Sequence, residues 1–250
     1  RVAARAVAKR MATLLGDEVG GLVGYRMRLD TRVSRRTRLE VITEGVLTRM
    51  LQSDPALEGV GCVIFDEFHE RSLAADLGLA LCLDARATLG SDLRVLVMSA
   101  TIDGAAVARL LGDAPLVQVP GRQFPVEVQY LGKGPPVLPG GSESVERLCA
   151  AGVRRALDDG AEGVLAFLPG AGEITRVRAL LEDLAVTGLR LQVLYGELAG
   201  EEQDAVLAPP RAGERRVVLA TNLAETSLTI AGITAVVDAG LARRARFDPS

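Results

Sequence analysis

The chain has 250 residues, of which 48% are hydrophobic and 24% charged, with a formal net charge of −3. That length allows one large or two modest domains. The charge excludes a bulk-basic nucleic-acid binder, so any nucleic-acid groove has to be local, and no apolar run reaches the roughly 18 residues of a membrane span.

Aromatic residues are only 3% and tryptophan is absent, so Val, Leu and Ala fill the core, as suits parallel sheets covered by helices. Apolar positions at Val2, Ala6, Met11 and Leu14 predict a helix over 2–15. A turn and a short strand follow over 19–28, then a strand over 38–43, with Gly45 opening the next helix. Cys62 to Phe65 is a short apolar run and reads as a buried strand. A long helix over 73–88 stops at Gly90, and a strand over 93–98 ends at Ser99-Ala100-Thr101. Asp103 is placed to cap a helix reaching Leu111, and residues 116–119 close this half. Pro120 to Pro125 is a turn-rich joint, and the Pro- and Gly-rich stretch 132–142 reads as an exposed loop. The alternation then restarts: helix 144–157, strand 164–168, helix 172–184, strand 189–195, helix 200–207, and strands 216–220 and 233–238. Repeated strand–helix alternation predicts α/β architecture with parallel sheets.

The acid pair Asp66-Glu67 directly follows the 62–65 strand. Carboxyl ends of strands are where ligands bind in open α/β sheets. One carboxylate there can hold a magnesium ion through its waters, and the other can orient and deprotonate water attacking a nucleoside triphosphate. The bland alternative is an acid pair capping the following helix. His69 is the one histidine, and by position alone it reads as structural. Glu70 and Arg71 read as a local ion pair or a cap. Cys62, Cys82 and Cys149 have no metal-ligand spacing and an odd count, so they read as buried free thiols in a reducing cytoplasm. The start at Arg1 resembles neither a signal peptide nor a natural initiation, and the chain reads as cut from a longer one.

The run Asp66-Glu67-Phe68-His69-Glu70-Arg71 resembles the acid box of the DEAH-box family of superfamily 2 helicases, and the Phe before the His is similar to the bacterial HrpB type. Four more segments resemble family motifs in family order. Thr43-Glu44-Gly45 begins a match to motif Ib, and Ser99-Ala100-Thr101 resembles motif III. Phe167-Leu168-Pro169-Gly170 followed by Glu173-Ile174 resembles motif IV, and residues 220–230 resemble motif V. The resemblance implies two RecA-like lobes, residues 1–122 and 123–250, both truncated, with ATP as substrate and Mg2+ as cofactor. It implies a single-stranded nucleic-acid partner, RNA favoured over DNA, and a cytoplasmic location; protein partners stay open.

Carried over residue by residue, the resemblance makes Asp66 the water-mediated magnesium ligand and Glu67 the general base. His69 then links the acid box to motif III and to the second lobe, and Ser99 and Thr101 couple hydrolysis to strand separation. Arg10 stacks on adenine and Thr229 faces the nucleotide. Arg1, Arg28, Thr43, Gly45, Thr221 and Asn222 face nucleic acid, Thr43 and Gly45 at a helix start suited to phosphate. Arg26 and Arg28 read equally as solvated surface, and Glu44 reads as capping its turn. Departures are Ala231, where many relatives carry an acid near the ribose, and Leu207, where eukaryotic relatives often carry Phe. No G-x-x-x-x-G-K-[ST] loop is present, and in the family that loop and motif VI lie just outside the span of this chain. Two other readings stay open: a non-catalytic nucleic-acid-binding fragment, and a superfamily 2 DNA translocase.

Overall fold

In the computed structural model, residues 2–100, 104–122, 124–131, 144–186, 188–224 and 228–243 are described. The chain divides into two compact units, Ala3–Pro125 and Val126–Ser250.

The first unit begins with α1 (Val2–Leu14), β1 (Val23–Met27), β2 (Asp30–Arg32) and β3 (Leu39–Ile42). Strands pair in the order β2-β1-β3, β1 running antiparallel to β2 and parallel to β3. The apolar face of α1 puts Ala8 and Ala12 against Val23, Tyr25 and Met27. Strand β2 is not legible in the sequence, because Asp30-Thr31-Arg32 is polar. It forms because the Tyr25 hydroxyl bonds the Asp30 carboxylate at 3.0 Å and the hairpin register closes Met27 on Asp30.

Next come α2 (Glu44–Ser53), β4 (Cys62–Phe65), a 3-10 turn (Phe68–Glu70), α3 (Leu73–Leu89), β5 (Arg94–Val97) and α4 (Gly104–Leu110). Ser72 caps α3, its hydroxyl accepting from the Ala75 N–H at 3.0 Å. Gly90 ends that helix at φ 61, a conformation glycine adopts without steric cost. Strands β4 and β5 form a separate parallel pair, Phe65 opposite Val97. So the parallel arrangement expected for this half appears as two small sheets, one with an antiparallel edge. Leu47, Leu51, Val63, Phe65, Leu79 and Cys82 make its larger core.

The second unit holds α5 (Val145–Asp158), β6 (Gly163–Phe167), α6 (Ala171–Leu180), α7 (Glu182–Val186), β7 (Arg190–Leu194), α8 (Gly200–Leu207), β8 (Arg216–Ala220) and β9 (Ala235–Asp238). All four strands are parallel, in the order β7-β8-β6-β9. Alternate residues face opposite ways. Val164, Ala166, Val217 and Leu219 meet α5 and α6, whereas Leu165, Val218 and Ala220 meet Val206 of α8. Burying both faces explains the unbroken Val/Leu/Ala runs of β6 and β8.

The single helix expected over 172–184 is instead two, α6 and α7. Arg154 donates to the Leu180 carbonyl at 2.8 Å and to both Asp183 oxygens at 2.9 and 2.6 Å. That guanidinium takes the carbonyl that continued helix would need, and Leu181 turns into the core. Among the described residues no helix is long and apolar enough to cross a membrane.

Candidate active site

In the first unit the site is built where β4 and β5 end side by side. The ladder continues past both strands: the Met98 N–H donates to Phe65 O at 2.8 Å, and the Phe68 N–H donates to Met98 O at 3.1 Å. The chain leaving β4 therefore turns over the end of β5, just before Ser99. Phe68 anchors this turn, buried and edge-on to Phe65 with ring centroids 6.1 Å apart. Arg71 lies over the Phe68 ring and pairs with Asp76 at 3.2 Å. Arg71 is thus in a local ion pair, with Asp76 in the first turn of α3, and its backbone N–H closes the 3-10 turn on Phe68 O.

Asp66 is exposed, and one of its oxygens accepts from the Glu67 N–H at 2.9 Å. Glu67 sits at φ 50 and ψ 36. Left-handed backbone at a non-glycine residue costs on the order of 1–3 kcal/mol and collects at functional positions. This conformation swings the Glu67 carboxylate to 3.4 Å from His69 Nδ1. The ring nitrogen is buried and makes no hydrogen bond among the described residues, so the pair is close without being well aligned. The backbone bond from Phe68 to Met98 ties the acid box to the strand that leads into Ser99, and the described neighbour of His69 Nδ1 is Glu67. Ser99 is exposed immediately beyond β5; Thr101 lies outside the described residues.

Thr43 is the first residue ahead of α2, and its side chain does not cap the helix. Gly45 is exposed with open space above its Cα. Glu44 was expected to cap its own turn. Instead its carboxylate accepts from the Ser72 hydroxyl at 2.6 Å, tying the start of α2 to the start of α3. Arg28 is exposed in the β1–β2 turn, whereas Arg26 is engaged by Glu40. Arg10 is exposed on α1, over the other sheet from the acid box. Arg1 lies outside the described residues.

In the second unit the candidate residues again gather at the carboxyl edge of the sheet. The Leu168 N–H donates to Ala220 O, the Thr221 N–H to Leu194 O and the Ala239 N–H to Phe167 O. The connection after β6 enters α6 on one face, while Ala224 and Ile230, after β8, pack on the other. That divergence is the topological switch point at which open α/β sheets bind ligands. A cavity of about 340 Å³ opens there, lined among others by Leu168, Pro169, Asn222, Asp238, Gly240 and Arg243. Thr221 is half-buried and Asn222 exposed beside it; Thr229 is exposed, next to buried Ile230. The rest of the motif V polar cluster, residues 225–227, lies outside the described residues.

Two site features were missed in the sequence. Asp238 and Arg243 flank the cavity; an acid at a strand's carboxyl end, followed by Gly240, was the available signal. Glu173, at the start of α6, accepts from both Arg176 (2.8 Å) and Arg243 (3.1 Å). Gly170 lies against this pair, so a side chain there would press on Glu173 and Arg243. The second feature is Arg216, fully buried at the start of β8. Burial pushes its pKa down, and it donates to the carbonyls of Val206, Ala208 and Ala231. It thereby fixes the segment carrying Thr229 to the end of α8.

Cys82 and Cys149 are buried as expected, but Cys62 is exposed. It lies on the outer face of β4, with Ile64, where nothing in the described residues covers it.

Residues 149–248 match the helicase conserved C-terminal domain family. The whole chain is 50% identical, over 249 residues, to ATP-dependent RNA helicase HrpB of Escherichia coli, spanning 30% of that protein. It is 37% identical over 255 residues to the pre-mRNA-splicing factor ATP-dependent RNA helicase prp22 of Schizosaccharomyces pombe, spanning 21% of it. The crystal structure of the Escherichia coli DEAH/RHA helicase HrpB superposes with a TM-score of 0.87 at 50% identity, covering 100% of this chain and 31% of that one. The chain thus spans less than a third of the relatives it matches. The RecA-like α/β fold, the ordered motifs and the identity along its full span agree, and along its whole length the chain is similar to HrpB-like DEAH-box helicases.

Proposed function

We propose that the whole protein is an ATP-dependent RNA helicase, hydrolysing ATP to move along single-stranded RNA and open duplexes. The observation that carries this reading is the acid pair Asp66-Glu67, fixed at the carboxyl end of β4 by the Phe68–Met98 bond. Residues 1–122 and 123–250 are read as its two RecA-like lobes.

In this reading Glu67 takes the proton from the attacking water, and His69, whose Nδ1 lies 3.4 Å from the Glu67 carboxylate, links the acid box to Ser99-Ala100-Thr101 and to the second lobe. The residues fit a magnesium ion: Mg2+ keeps several waters and needs only one or two carboxylates, and exposed Asp66 keeps one oxygen clear of the Glu67 N–H. Bound there, the ion would neutralise charge on the phosphates. Arg10 and Thr229 contact the nucleotide. Arg1, Arg28, Thr43, Gly45, Thr221 and Asn222 hold the nucleic-acid backbone, which positions the strand without reading its sequence. Ser99 and Thr101 couple the two activities. The unpaired thiols Cys62, Cys82 and Cys149 support a cytoplasmic setting.

The test is phosphate release and strand displacement by the full-length protein on a tailed duplex. ATP-dependent displacement, with hydrolysis stimulated more by single-stranded RNA than by DNA, is expected. Stimulation by DNA alone would make the protein a DNA translocase. Binding without hydrolysis would make it a nucleic-acid-binding protein.

A further inference from the structure

The Ser72–Glu44 hydrogen bond joins two parts of the first unit that the proposed function uses separately. Ser72 lies five residues after Glu67 and caps the start of α3. Glu44 is the first residue of α2, beside Thr43 and Gly45. The bond is 2.6 Å long and made to a carboxylate, in the range of short charge-assisted bonds. The same hydroxyl accepts from the Ala75 N–H at 3.0 Å. One oxygen atom thus caps α3 and holds the carboxylate at the start of α2.

Two consequences follow from charge. Glu44 is an anion at the start of α2, where Thr43 supplies no side-chain cap. Left alone, a carboxylate there would turn to the helix's own free N–H groups. Ser72 draws it away, which leaves those groups open. A phosphodiester arriving beside them repels the carboxylate and changes its bond to Ser72. The segment between Glu67 and Ser72 is short and held in left-handed backbone at both Glu67 and Arg71, so a displacement at Ser72 has little slack before it reaches Glu67.

We infer that Ser72, through Glu44, is a positioning residue that reports nucleic-acid binding at the start of α2 to the acid box, separately from the Ser99-Ala100-Thr101 segment. This inference rests on the helicase reading above. It asks nothing of Ser72 in chemistry or in binding; its effect lies in the ratio between RNA-stimulated and basal ATP hydrolysis.

The test compares Ser72→Gly and Ser72→Thr with the unaltered full-length protein. Glycine at a helix start is tolerated nearly as well as serine, so the helix is kept while the hydroxyl is lost. Threonine keeps both. Basal hydrolysis is expected to be unchanged in both variants. The stimulation by saturating single-stranded RNA is expected to fall about fivefold or more in Ser72→Gly, the lower range of coupling between sites, and to be restored in Ser72→Thr. A purely structural role would lower both rates together and leave the ratio alone, which overturns the inference. Full stimulation in Ser72→Gly overturns it as well, with the helicase reading intact. No RNA stimulation in the unaltered protein overturns the reading and the inference together.

Discussion

The N–H of Phe68 donates to the carbonyl of Met98 at 3.1 Å, and this bond makes the acid box and the chain leading into Ser99 one rigid corner. Phe68 can hold that place because its ring is buried against Phe65. The residue between Glu67 and His69 is therefore a core residue, and its apolar character follows from packing.

Phe68→Ala is expected to destabilise the first unit by about 3 kcal/mol, the lower range for emptying a buried aromatic site. Urea denaturation followed by circular dichroism measures it. A loss below about 1 kcal/mol would show that the corner is held by backbone bonds alone.

Two glycines divide in their effect. A side chain at Gly163 would run into the carbonyl of Gly232, so Gly163→Ala is expected to cost about 1–3 kcal/mol, as overpacking does. Gly45 faces open space in the first turn of α2, and Gly45→Ala is expected to leave the melting temperature unchanged or slightly raised. Equal destabilisation by both would contradict the positions assigned to them.

The three thiols separate by burial. Burial pushes Cys82 up to about 11 and Cys149 up to about 12, the latter with help from the nearby Asp238 and Glu146 carboxylates. The reactive species is the thiolate. Iodoacetamide at pH 8 is therefore expected to label Cys62 alone in the folded chain, and all three thiols in denaturant, as read by intact mass. Labelling of Cys149 in the folded chain would show the α5 face open.

Element order was largely legible because the strands are short apolar runs and the helices carry ordinary signals, such as Ser72, Ser144 and Gly90 at their ends. What failed was local and depended on distant partners. The α6–α7 break depends on Arg154, some 26 residues from the carbonyl it takes. Strand β2 depends on the Tyr25 hydroxyl. Within the site, the acid box was legible because its residues are adjacent in sequence. The Glu44–Ser72 and Glu173–Arg243 contacts were not, because 28 and 70 residues separate the partners and no periodicity marks either.

The most direct test of the account is steady-state phosphate release by the full-length protein and its Glu67→Gln variant, with saturating single-stranded RNA. The amide keeps the shape of the side chain and cannot take a proton from water. Removing a general base typically costs about 10²–10⁴ in rate. A loss of that size is expected with nucleotide binding retained, since Asp66 is untouched. Turnover within a fewfold of the unaltered protein would contradict it, and Glu67 would then be no more than the turn residue that leads into Phe68.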